Sequence, residues 1–204
     1  MNIIIFGPPG AGKGTQANFI VKRYNLFQVS TGKILREEIK NKTEIGQKIS
    51  TLMTSGSLVE DKIVNKLIED IVSDENYKNR FIFDGYPRNL DQADNLNNLL
   101  SKYDQKINIV LKLSVTLETI KKRISERRAI ETRPDDSEEI AIKRYETYEK
   151  STEPVIEYYK KLNLLKVING ERSIDQINNE ISEIMVDIEG WLYTLTPYKY
   201  DFKY

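Results

Sequence analysis

The sequence contains no cysteine and no histidine. Disulfides are therefore excluded, as are zinc sites built from thiolates or imidazoles, and no Cys or His is present to serve as nucleophile or general base. Chemistry falls to Arg, Lys, Asp, Glu and hydroxyl side chains. An excess of charge of either sign is also missing, because Lys plus Arg and Asp plus Glu both number 31 among 204 residues. With no global field to favour nucleic acid or a membrane surface, an anion site has to be local. No run of 18 apolar residues occurs, and the first apolar run starts almost at Met1, leaving no room before it for a basic and apolar signal segment. A cytoplasmic protein without nucleic-acid or membrane partners is expected. Internal repeats and low-complexity tracts are absent, and the length suits one good core with small inserts rather than two full domains.

What is present alternates. Apolar runs at 2–6, 27–29, 81–83, 107–113 and 164–168 predict short buried strands, and periodic segments at 13–24, 60–73, 115–128, 137–162 and 174–188 predict helices. The alternation implies an α/β fold with a parallel sheet covered by helices. In the last helix Ile174, Ile177, Ile181, Ile184 and Ile188 form one stripe, and Ser173 with Gln176 supplies a capping box. Residues 30–59 read as an inserted flap of two short helices broken at Gly46 and Gly56. A smaller interruption falls at Arg128 to Asp136, where Pro134 cannot continue a helix; helix resumes after Asp136, with Glu139 completing a cap.

The segment Gly7-Pro8-Pro9-Gly10-Ala11-Gly12-Lys13-Gly14-Thr15 lies between the first strand and the first helix. Its four glycines let the backbone turn tightly and aim several N–H groups at one point, the helix start adds a positive dipole end, and Lys13 reaches outer phosphates of a nucleoside triphosphate. This is a phosphate-binding loop. Gly14 stands where such loops usually place the Ser or Thr that holds Mg²⁺, so Thr15 or a carboxylate elsewhere has to help with the metal. Asp84, in Asp84-Gly85-Tyr86-Pro87-Arg88 at the carboxyl end of the third strand, is suited to hold Mg²⁺ through water. In the same turn Gly85 permits close backbone approach and Arg88 offers a planar fork to phosphate.

Further arginines recur. Arg123 and Arg127 are one turn apart on a helix face, Arg133 sits in the interruption, Arg144 lies on the next helix, and Arg36 follows Ser30-Thr31-Gly32 in the flap. Together they point to a charged phosphate chain held between closing segments, with Asp135 and Asp136 orienting guanidiniums. A GTPase would want Asn-Lys-x-Asp after a strand, and the nearest match, Asn41-Lys42-Thr43-Glu44, ends in Glu and lies in the flap. The arginines favour an enzyme that holds two phosphorylated ligands at once. Phosphoryl transfer to a phosphate acceptor also needs no general base, since a second phosphate pKa is about 6.

GPPGAGKGTQ at 7–16, STGKILR at 30–36, GSLVED at 56–61, DGYPRNLDQA at 84–93, RISERR at 123–128 and RPDD with Arg144 together resemble the adenylate kinase family from Met1 to about Ile188. The resemblance implies a P-loop NTPase fold with a five-stranded parallel core, a nucleoside-monophosphate flap at 30–59 and a short lid at 128–136. It implies reversible phosphoryl transfer from MgATP to AMP, giving two ADP. It assigns Gly10, Ala11, Gly12, Lys13, Gly14 and Thr15 to the ATP phosphates, Arg123 to the ATP adenine, Arg127 to the phosphate chain, and Arg172 to the turn beside the adenine. Arg36, Arg88, Arg133 and Arg144 would clamp AMP and the transferring group. Thr31, Ser57, Leu58, Val59, Gly85, Tyr86, Pro87 and Gln92 would receive AMP, and Lys13, Arg88, Arg127, Arg133 and Arg144 would carry catalysis.

Departures from the family pattern are specific. The short lid, without Cys or His, cannot hold the structural zinc of long-lid relatives, so Mg²⁺ with ATP is the only metal expected. Lys33 replaces the Asp usual in STGD. Two rival readings remain beside AMP phosphorylation. One is a UMP/CMP kinase, which the Ser30-Thr31-Gly32 run and Gln92 disfavour; the other is a nucleotide-binding scaffold without turnover, which Lys13, Asp84, Arg88 and Arg133 disfavour. The tail at 189–204 matches nothing in the family and holds six aromatics. Gly190 is expected to stop the preceding helix, and the Tyr198, Tyr200, Phe202, Tyr204 alternation predicts an extended segment with one apolar face. A monomer is expected with the tail docked on its own core, a dimer through the tail being the alternative.

Overall fold

The five apolar runs form β1 (Asn2–Phe6), β2 (Phe27–Ser30), β3 (Phe81–Asp84), β4 (Ile107–Ser114) and β5 (Leu165–Asn169), all parallel, in the spatial order β2-β3-β1-β4-β5. The structure is a computed structural model and describes residues 1–130 and 137–195. Outside the described residues lie Arg133, Asp135, Asp136, most of the expected lid and the aromatic alternation from Tyr198 to Tyr204. The period of two along β1 divides the core. Ile3 and Ile5 face one side, where α1 (Lys13–Tyr24) and α8 (Ile174–Leu195) bring Ala17, Ile20, Ile177, Ile181 and Met185. Ile4 and Phe6 face the other, where α4 (Asp61–Val72), α5 (Leu90–Lys102) and α7 (Glu138–Lys161) bring Val64, Ile68, Leu96, Leu100, Val155 and Tyr159. β1 and β3, buried along their whole length, read as continuous apolar runs for that reason, whereas the edge strand β5 leaves Lys166 and Val167 exposed.

The connections after β1, β3 and β4 all emerge at one edge of the sheet. From β1 the chain goes out to the edge strand β2 and returns to β3 beside β1, and only then crosses to β4 and β5 on the opposite flank, so the loop after β1 lies at the switch point where such sheets bind ligands. Between β2 and α4 stand α2 (Thr31–Lys40) and α3 (Glu44–Thr54), and between β4 and α7 stands α6 (Leu117–Ile130).

Several local expectations need correction. Gly46 does not break a helix: it lies in the first turn of α3, where its N–H donates to the capping Thr43 hydroxyl at 3.0 Å. Its lack of a side chain serves packing, since a Cβ there would sit 2.1 Å from the Glu38 carbonyl oxygen on α2. Gly46→Ala is therefore expected to force α2 and α3 apart and to destabilise by about 1–3 kcal/mol, read as a lower urea midpoint at unchanged slope. Gly190 does not stop α8, which continues to Leu195. Ile174 leaves the stripe, 57% exposed at the helix start, and Met185 fills the core beside Ile181 instead. The α7 cap is Ser137, whose hydroxyl accepts the Ile140 N–H at 3.2 Å, while Asp136, with which Glu139 is expected to complete a cap, lies outside the described residues. The Ser173 and Gln176 capping box forms in both directions, at 3.1 and 3.3 Å. Periodicity alone misses α5, a helix rich in Asn and Asp that Asn89 caps through the Gln92 N–H at 2.8 Å.

Candidate active site

Between β1 and α1 the chain turns through two glycines in left-handed conformations, Gly10 at φ 85° and Gly12, the residue before the helix, at φ 94°. Having no side chain, Gly12 leaves the first-turn amides of α1 to whatever anion enters, and the helix dipole favours that anion. Lys13 arches over the loop, its Nζ donating to the carbonyls of Gly7 at 2.7 Å and Pro8 at 3.1 Å. Its pKa is lowered to about 8, chiefly by burial and further by Arg88, Arg144 and Arg127, with Asp84 opposing. The causes of that shift map the site: residues from the end of β3 and the turn after it, and from α6 and α7, converge on one ammonium. Gly14 is exposed with open space around it, and Thr15 beside it is exposed as well.

The turn after β3 forms the opposite wall. Asp84 is nearly buried, and its Oδ2 accepts from Gln28 Nε2 and Ser30 Oγ, both at 3.3 Å, which fixes the carboxylate at the sheet edge. Among the described residues no group of three or more acidic, His or Cys side chains forms a cage for a metal. A single anchored carboxylate fits Mg²⁺, which keeps most of its water and takes the rest of its ligands from phosphate. Gly85, at φ 80°, puts its carbonyl where both Thr31 Oγ1 at 2.9 Å and Arg88 Nε at 2.8 Å donate to it. A Cβ there would lie 3.0 Å from Thr31 Oγ1 and 3.2 Å from Arg88 Nη2, so glycine is needed for shape as well as conformation. Thr152 of α7 donates to the Arg88 carbonyl at 3.2 Å, tying the turn to the helix that carries Arg144.

Two clefts meet at this turn. The first runs between the phosphate loop and α7 and is lined by Lys13, Arg88 and Arg144 among others. The second lies under α2 and α3 and is lined by Thr31, Leu35, Ser57, Val59 and Gln92. Gly85, Arg88 and Leu58 border both. Pro87 lines the first cleft, following the cis Tyr86–Pro87 peptide. Tyr86 does not reach either cleft; it is fully buried, its hydroxyl donating to Asn65 at 2.7 Å and accepting from Asn95 at 3.1 Å. Arg36 curls back along α2 over Gly32, at whose position a Cβ would be 3.3 Å from Arg36 Nη1.

On the other side of the loop, Arg123 donates to the Ala11 carbonyl at 3.3 Å and the Gly170 carbonyl at 2.8 Å, binding the phosphate loop to the turn after β5. Arg127 follows one turn later on α6, half-buried. Arg172 in the β5 turn is exposed and pairs with Glu180 of α8 at 3.1 Å. The roles of two residues here escape sequence reasoning. Glu171 caps α6, accepting from the Thr116 N–H at 2.9 Å and from the Thr116 and Thr119 hydroxyls at 2.6 and 3.0 Å, contacts that lower its pKa. Asp61 opens α4 and accepts from Gln92 Nε2 at 2.6 Å and Asn89 Nδ2 at 2.9 Å. Asp61 enters the sequence reading only as the last residue of GSLVED, and the role of neither side chain is legible locally, because the partners of each lie dozens of residues away.

Comparison with known proteins agrees with this architecture. The family model described as Adenylate kinase matches residues 5–164. Adenylate kinases of Pelagibacter ubique, Fusobacterium nucleatum and Bifidobacterium longum are 44%, 38% and 40% identical, over 91%, 91% and 89% of this chain and 99%, 98% and 97% of their own. The Pelagibacter alignment runs over 211 positions, more than 91% of this chain supplies, so that relative carries residues that this chain lacks. The alignment with the Bifidobacterium protein, over 181 positions, needs no such surplus. On the match of the family model across most of its length, and on these relatives, the chain belongs to the adenylate kinase family.

Proposed function

We propose that this chain catalyses reversible transfer of the terminal phosphoryl group of MgATP to AMP, giving two ADP. The observation that carries the proposal is the position of Arg88 at the junction of two clefts, one against the phosphate loop and one under α2 and α3. ATP lies with its phosphates on the amides of Gly10 to Thr15 and on Lys13, its adenine toward Arg123 and the Arg172 turn. AMP enters the second cleft, its nucleoside against Thr31, Ser57 to Val59, Gly85 and Gln92, its phosphate toward Arg36 and Arg88. An ionised oxygen of that phosphate forms a bond to the γ-phosphorus as the bond from phosphorus to the β–γ bridging oxygen breaks. The leaving electrons stay on the β-phosphate of the ADP formed. No proton has to be removed, which suits a chain without histidine.

Catalysis in such a transfer is positioning and charge stabilisation. Lys13, Arg88, Arg127 and Arg144 supply the stabilisation, with Arg133 from the lid. Asp84 would hold Mg²⁺ through its waters, and the ion when bound offsets charge on the β and γ oxygens. The segments 30–59 and 128–136 act as flap and lid, closing over the two nucleotides and excluding water. Among the described residues no helix is long and apolar enough to cross a membrane. The proposal extends to a monomer acting in the cytoplasm. A coupled assay of ADP formation with AMP, CMP, UMP and GMP as acceptors tests it. AMP is expected to dominate; preference for CMP or UMP would make the chain a pyrimidine nucleotide kinase, and no turnover with any would make it a binding protein.

A further inference from the structure

Gln92 is buried, 3% exposed, at the end of the second cleft, and its amide is gripped from two sides by groups of opposite character. The Asp61 carboxylate only accepts hydrogen bonds and takes the Gln92 Nε2–H at 2.6 Å. The Arg88 backbone N–H only donates and gives to Gln92 Oε1 at 2.8 Å. Turning the amide by 180° would set NH₂ against N–H and oxygen against carboxylate. Both contacts would be repulsive, and burial denies the amide replacement partners from water. Asp61 is itself held, because its other oxygen accepts from Asn89 Nδ2 at 2.9 Å and Asn89 caps α5 through the Gln92 N–H. Asp61 does not line the cleft. Whatever it does to a ligand it does through Gln92.

We infer that Asp61 is a positioning residue that locks the Gln92 amide in the orientation complementary to a 6-amino purine, so that the acceptor site takes AMP and rejects 6-oxo purine monophosphates; this rests on the reading of the second cleft as the acceptor site. The locked amide keeps one N–H and one oxygen lone pair to offer. Adenine matches that pair with a ring nitrogen acceptor beside its amino donor. Hypoxanthine and guanine carry a ring N–H beside a carbonyl at the corresponding edge, the reverse order, which only the turned amide satisfies. An amide free to turn would serve either base. Recognition by a fixed donor and acceptor discriminates strongly because a mismatch leaves buried polar groups unpaired.

The comparison that isolates the lock is AMP against IMP, which differ at the 6-position and in the N1 proton that follows from it. With ATP as donor, kcat/KM is measured for both acceptors in the full chain and in Asp61→Asn and Asp61→Ser. Asparagine sets a donor as well as an acceptor beside Gln92, and serine keeps a small polar residue at the start of α4 should the first variant fold poorly. In the folded variants the AMP to IMP ratio is expected to fall at least tenfold, a change of about 1.4 kcal/mol. The loss should be carried by KM, with kcat for AMP largely kept. Equal losses for both acceptors, leaving the ratio where it was, would overturn the lock and leave Asp61 a structural residue. Failure of the unmodified chain to phosphorylate AMP would instead remove the acceptor reading itself, and the lock with it.

Discussion

Arg88→Ala is expected to lower turnover by about 10³- to 10⁵-fold, the range over which arginines that stabilise transferring phosphoryl groups act. That range corresponds to about 4–7 kcal/mol of transition-state stabilisation. The side chain borders both clefts, and its Nε is fixed on the Gly85 carbonyl at 2.8 Å, which aims the guanidinium without relying on a ligand. A fork held in advance costs no reorganisation when charge develops between two phosphates. The fold has little stake in it. Tyr86 and Thr152 anchor the turn through their own contacts, so circular dichroism and melting temperature should stay close to those of the unmodified protein. Steady-state kinetics at saturating ATP and AMP provide the check. A variant within tenfold of normal turnover would show that Arg88 only binds. Arg88→Lys is expected to recover little, because an ammonium cannot reproduce the planar fork.

Lys13→Met should cost about 10²- to 10³-fold in kcat/KM for ATP, the loss typical of removing one preorganised donor from a site of developing charge. The same residue sets a pH dependence whose sign follows from its lowered pKa of about 8. The triphosphate binds the charged form, so kcat/KM for ATP should fall as pH rises through about 8. In the complex the phosphates hold the proton, and kcat should decline only at higher pH. Methionine should flatten the fall in kcat/KM. Stability should move in the opposite direction to activity. With its folded pKa below its unfolded value of 10.5, Lys13 disfavours the fold while charged, a cost present in full below pH 8 and lost as pH rises toward 10.5. The variant is therefore expected to melt higher than the parent at pH 7, with the gap closing in alkali. An equal or lower melting temperature at pH 7 would contradict the burial argument.

The parts of the molecule legible in its sequence are those whose physical cause is local. The central strands β1 and β3 declare themselves because both faces are buried, and the loop at 7–15 because glycines, lysine and a helix start have to be consecutive to cradle phosphate. Asp84 and Arg88 were readable from their place at a strand end. The helix α5 was not, since Asn and Asp weaken helices in isolation and Leu96, Leu99 and Leu100 stabilise it only through packing. Gly46 looked like a helix breaker when its reason is the crossing of α3 over the end of α2. Arg123 could be placed on a helix face, but its docking on Ala11 and Gly170 spans 112 and 47 residues of chain. Gln92 stood out in the sequence, while the carboxylate that orients it, 31 residues earlier, did not.

The position of β1 also governs when the molecule becomes competent during synthesis. It precedes the other four strands of the sheet in the chain and is the middle strand, hydrogen-bonded to β3 at Phe81–Asp84 and to β4 at Ile107–Ser114. A nascent chain that has just exposed the phosphate loop therefore has nothing to hold it in shape, and Ile3, Ile4 and Ile5 have no surface to bury against. The nucleotide cradle assembles only after the chain has grown past Ser114, and Arg144 joins it later still. Long-range parallel pairing of this kind slows folding and leaves an apolar N-terminus exposed meanwhile. Nucleotide can thus stabilise the finished domain but cannot template its first half.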